Sequence, residues 1–250
     1  QGAAEGYRDG RLSAAEAEHL ARISNNAGPG FVFSMAGAGI FGSAGAGLAL
    51  WLCQLTSAVL LGVILRDHAP RPQAAAARAN AAPPLPFSAA FTRAVKTAGR
   101  VSLSVCLIVV TFRVLCGALD TIMPAETPTV LRIFLSGVLE LSGGTALLAQ
   151  AALPRVSAFA LCSFFLAFGG VGVAAQVASV MQDAGLRVRG YLRAKLLQGA
   201  IAAALSVPAG LFLFADRQNA LRLAVLYAAA GTICFIFRKV MAGNLRAKRV

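Results

Sequence analysis

Ile133-Phe-Leu-Ser-Gly-Val-Leu-Glu-Leu-Ser-Gly-Gly-Thr-Ala-Leu-Leu-Ala149 is the stretch on which the fold turns. Glu140 is the only acid between Ile133 and Leu153, in surroundings apolar enough for a lipid bilayer. A carboxylate at the centre of a bilayer costs about 2.5 to 3.5 kcal/mol on insertion scales, so a chain that keeps one there usually turns it toward a cavity or a partner. Ser142, Gly143 and Gly144 follow at once. Three poor helix formers beside the acid favour unwinding, and unwound backbone at membrane depth is tolerated only inside protein or beside a wet cavity. Glu140, Ser142 and Gly143 are therefore expected to bind a solute or a coupling ion, H+ or Na+; the alternative is a structural acid, protonated or paired with Arg113.

The 250 residues, 58% of them hydrophobic and 13% charged, carry charge-free runs too long for a soluble core. Ile23 to Leu65 holds no charged residue over 43 positions, room for two spans when one helix needs about 20 residues. Val101 to Leu119, Val156 to Gln182, Leu196 to Phe214 and Leu223 to Phe237 are further candidates. The fold expected is all-α: a polytopic membrane protein with about six transmembrane helices and one re-entrant hairpin.

A net charge of +13 raises the question of nucleic acid, and the position of the basic residues answers it. Six Lys or Arg lie in residues 66 to 100, four in 183 to 195 and five in 238 to 250. These loops share one side if residues 131 to 153 enter and leave the bilayer from the other, and the positive-inside rule makes that side cytoplasmic. A nucleic-acid binder would gather such charge on one soluble surface. The expected location is a bacterial plasma membrane, with a multi-pass chain and a cytoplasmic C-terminus.

Along the chain, residues 1–22 read as an interfacial helix and loop, opened by the capping box Ser13-Ala-Ala-Glu16. Residues 23–66 hold a broken span and a second span. The break falls at Ser24-Asn-Asn-Ala-Gly-Pro-Gly30, a poor sequence for continuous helix. Residues 67–100 form a Pro- and Ala-rich cytoplasmic linker and an amphipathic surface helix, in which Phe87, Phe91 and Val95 oppose Arg93, Lys96 and Arg100. Residues 101–119 form a scaffold span, 131–214 a second repeat, 221–237 a final span and 238–250 a basic tail.

The second repeat runs hairpin, broken span, whole span, with its break at Phe168-Gly-Gly-Val-Gly-Val-Ala-Ala-Gln176. Interrupted hydrophobic segments in corresponding halves point to a transporter site at an inverted-repeat interface. The first repeat lacks its hairpin. The chain starts at Gln1 without Met, so a missing N-terminal part is expected to supply it. Asn25, Asn26, Gly28, Gly169, Gly170 and Gln176 join the candidate solute- or ion-binding set. Helix capping by the asparagines and helix bridging by Gln176 are the plainer alternatives.

Gly37-Ala-Gly-Ile-Phe-Gly42 matches the letters of a dinucleotide fingerprint but lies inside a membrane run, without the strand and acid that fingerprint needs. Small residues so spaced usually let helices approach. Cys53, Cys106, Cys116, Cys162 and Cys234 sit in apolar segments as packing residues. No metal, cofactor or enzymatic constellation is expected.

These residues bear a resemblance. Gly10 to Leu20 ahead of Ser24-Asn-Asn-Ala-Gly-Pro-Gly-Phe31, Thr56 to Arg66, Leu139-Glu-Leu-Ser-Gly143, and Phe168 to Gln176 through Lys195-Leu-Leu-Gln198 resemble the Gate, or nucleoside-recognition, domain family, and most closely its YlbJ-type sporulation integral membrane proteins. The resemblance implies a distant tie to concentrative nucleoside transporters, in which two acid-bearing hairpins and two unwound helices line the solute site. Glu140 matches the second hairpin's acid; Asn25, Asn26 to Gly30 and Gly169 to Gln176 match the unwound helices. The chain departs from that pattern at Leu139, Gln54 and Ala174. Implied partners are a nucleoside-like solute, a coupling ion, the lipid bilayer and a second copy in a homo-oligomer. The rival implication is a non-transporting membrane protein of spore coat or cortex assembly in a spore-forming bacterium.

Overall fold

A computed structural model describes residues 1–65 and 86–214. The linker up to residue 85, the expected final span 221–237 and the basic tail 238–250 lie outside them. Among the described residues the architecture is entirely helical: α1 (Gly2–Arg8), α2 (Ala14–Ser24), a π-helix (Phe31–Ile40), α3 (Ala44–Leu65), α4 (Phe87–Ile122), α5 (Thr129–Leu139), α6 (Leu141–Gln150), α7 (Arg155–Phe168), α8 (Gly170–Gln182) and α9 (Tyr191–Phe214). Among the described residues four stretches are long and apolar enough to cross a membrane: α3, α4, α7 with α8, and α9.

Local chemistry sets the ends of these helices. Pro86, Pro128 and Pro154 stand directly before α4, α5 and α7, where a missing N–H costs nothing. Ser13 starts α2 through a complete capping box: its hydroxyl accepts from the Glu16 amide at 3.3 Å and its own amide donates to the Glu16 carboxylate at 2.8 Å. Gly42, at φ +63°, makes the turn into α3.

The broken helix α7–α8 is the centre of the bundle. Its apolar stretch is 67% buried, against 6% for that of α4, which leans on the assembly from outside. The core clusters Phe159, Cys162, Phe165 and Leu166 of α7 with Leu50 of α3, Val32 and Ala36 of the π-helix, Ile133 of α5 and Leu148 of α6. A second cluster packs Ala4, Ala17 and Ala21 of α1 and α2 on Met181 and Leu186, so the N-terminal helices dock at the far end of α8.

Two details differ from the expectation. The amphipathic segment and the scaffold span are one helix, because nothing between Gly99 and Val101 forces an end. The break expected over Ser24 to Gly30 is confined to the non-helical residues 25–28, and residues 31–40 are π-helical.

Candidate functional site

α5 and α6, 11 and 10 residues long, are each about half the length a span requires. They fold back on one another around Glu140. Small residues permit the approach: a Cβ on Gly144 would overlap the Gly137 backbone, and one on Gly137 would overlap the Phe165 ring. Glu140 itself is the break, extended at φ −148° and ψ 124°, while Ser142, Gly143 and Gly144 are helical. The expected unwinding of that triplet is thus corrected. The acid ends α5 and its carboxylate pulls the next amides into a new helix.

The Glu140 side chain is 5% exposed. Its Oε1 accepts from the Ser142 amide at 2.9 Å, and its Oε2 from the Gly143 amide at 2.7 Å and the Ser142 hydroxyl at 2.5 Å. Free amides and the helix dipole both favour an anion here. These three bonds take up most of a carboxylate's acceptor capacity of about four. Arg113 of α4 comes near: a Cβ on Gly143 would lie 2.6 Å from its Nη1. Among the described residues no ion pair joins Arg113 to Glu140; the pairs formed are Arg11–Asp9 and Arg132–Asp120.

The hairpin apex meets the break in α7–α8. Gly169 and Gly170 adopt φ +83° and +85°, values open chiefly to glycine, which let the chain stop and restart between the two helices. A Cβ on Gly170 would sit 3.2 Å from the Leu139 carbonyl, 3.3 Å from the Leu141 amide and 3.4 Å from the Glu140 Cα. Glu140, Ser142, Gly143, Gly169 and Gly170 therefore come together.

The first break is organised differently. Asn25 Nδ2 donates to the Tyr191 hydroxyl at 2.7 Å, and Asn26 Oδ1 accepts from Gln198 Nε2 at 2.8 Å. Gln54 Nε2 donates to the Ala27 carbonyl at 2.9 Å. Lys195, 1% exposed, donates from Nζ to the Asn25 carbonyl and to Gln198 Oε1, both at 2.5 Å. Asn25 also lines a cavity of about 400 Å³ with Ser24, Val101, Val105, Gln176 and Val180. This brings together Asn25 and Gln176, one from each interrupted helix. Glu140 is not in the wall of that cavity. Gly28 is exposed with open space around it, its carbonyl accepting from the Val32 amide at 3.1 Å.

Sequence reasoning missed Tyr191, Lys195, Gln198 and Gln54 as members of the site. The sequence groups Lys195 with the basic residues of the loop 183–195, whereas the structure buries it within α9. The three-residue spacing of Lys195 and Gln198, one face of a helix, was the signal available.

No family model matches the sequence, and no solved structure matches it. The chain is similar to the sporulation integral membrane protein YlbJ of Bacillus subtilis (strain 168), with 25% identity over 230 residues. The match covers 78% of this chain and 56% of the relative, so the chain spans little more than half the length of the protein it matches. The relative's name describes an integral membrane protein, in keeping with the apolar helices of membrane-spanning length among the described residues.

Proposed function

We propose that this chain is the greater part of a transporter-like membrane protein of the Gate, or nucleoside-recognition, type, which carries a small polar, nucleoside-like solute across a bacterial plasma membrane by alternating access. One observation carries the reading: Asn25 at the first interruption and Gln176 past the second line one cavity of about 400 Å³, within the usual size for small-molecule sites. The cavity wall is mainly apolar, completed by Gln1 to Ala3, with Ser24, Asn25 and Gln176 as polar groups, and interrupted helices that share a cavity are what a solute site at a repeat interface requires. In this reading α5 and α6 form a re-entrant hairpin whose apex, Glu140, gates the second interruption, with H+ or Na+ as coupling ion. The reaction is binding and translocation, with no catalytic residue.

A second reading has support of its own. The relative's name speaks of sporulation, and the Glu140 carboxylate already spends most of its capacity on capping α6. On that reading the chain is a non-transporting membrane protein used in spore coat or cortex assembly. Uptake of labelled nucleosides into proteoliposomes holding the full-length protein separates the two. Saturable uptake that Glu140→Gln abolishes supports transport; no uptake, with normal sporulation of a Glu140→Gln strain, supports assembly.

A further inference from the structure

Lys195 places its amine in the interior, and the groups it touches are neutral oxygens. Burying a charge costs several kcal/mol unless hydrogen bonds return most of it, so a lysine kept at 1% exposure needs an account. Among the described residues no carboxylate bonds to it. Its Nζ lies between the Asn25 carbonyl and Gln198 Oε1. Asn25 is the C-cap of α2, so that carbonyl belongs to the negative end of a helix whose last carbonyls lack intrahelical partners. The same knot contains Gln54, fully buried, whose Oε1 has no hydrogen-bond partner. Carbonyl and amide oxygens at the C-terminal end of an interrupted helix are the ligand type by which transporter half-helices hold a coupling cation.

We infer that Lys195 is a tethered cation: its ammonium fills a monovalent-cation position at the α2 break, so that the chain carries there, covalently, what an ion-coupled bundle would load from solution. The first break then stays closed at any sodium concentration.

The inference rests on the transporter reading for its meaning, but its test contains no solute, so the two fail separately. The full-length protein and its Lys195→Ala variant are melted in detergent with choline, sodium or methylammonium chloride at equal ionic strength. Wild type sets the reference in each salt. Lys195→Ala should melt lower in choline and recover most of the loss in sodium or methylammonium, because a small cation enters the vacated position. If the variant does not survive extraction in choline, the folded fraction recovered in each salt becomes the readout, with recovery expected only in sodium or methylammonium. A salt response of the variant no larger than that of wild type, including recovery in none, overturns the proposal.

Discussion

The two interruptions are closed by different materials. At residues 25–28 the chain is non-helical and is met by side chains, Lys195 and Gln198 from α9 and Gln54 from α3. At Gly169 and Gly170 it is met by backbone, the apex of the α5–α6 hairpin. Side chains can exchange partners with ions, protons or solute while the helices stay put. Backbone contacts release only when whole elements separate. The first break is thus suited to reading chemistry, the second to moving.

If that contrast holds, the largest losses come from crowding the backbone contacts. Gly144→Ala sets a methyl group against the Gly137 backbone and is expected to cost about 3 kcal/mol, read as a lowered melting temperature in detergent. Gly28→Ala, in the open first break, should change little. Equal effects at the two glycines would erase the distinction.

Next comes the side-chain closure. Gln198→Leu strips the partners from Asn26 Oδ1 and one acceptor from Lys195, an expected loss of about 2 kcal/mol in the same assay. Glu140→Ala removes the α6 cap while the small-residue packing remains, for about 1 kcal/mol. A larger loss than that from Gln198→Leu would make the apex, rather than the first break, the polar keystone.

The smallest effect tests a region outside both breaks. Hydrogen bonds from the Ser13 amide and hydroxyl hold the Glu16 carboxyl below its ordinary value of 4.5. A depressed carboxyl contributes stability above its unfolded value and loses it as pH falls through the folded one. Acidification below about pH 4.5 should fray the start of α2 without altering the Asn25 end, as amide exchange can show.

Much of the second break was legible because its causes are local. A diglycine amid apolar residues and a lone acid beside small ones speak for themselves in sequence. The first break was half legible: Asn25, Asn26 and Pro29 announce an interruption but not what fills it. Lys195 stands two residues after Arg193 at the head of an apolar run, where a basic residue normally snorkels to the interface. Only the packing of α9 against α2 and α3 turns it inward. The join of the amphipathic segment to the scaffold span was hidden for a related reason. Arg100 marks where polarity changes, but helices end through caps and backbone, and neither occurs there.

Gly137 and Gly144 bring the two arms of the hairpin into main-chain contact, and the Phe165 ring seals the seam. Arms joined that tightly have no slack between them with which to splay. Any opening must swing them as one stiff tongue, pivoting where Pro124 to Pro128 and Ala151 to Pro154 connect it to its neighbours. A crosslink between the arms should then leave such a swing intact, whereas one from the tongue to α7 should lock it.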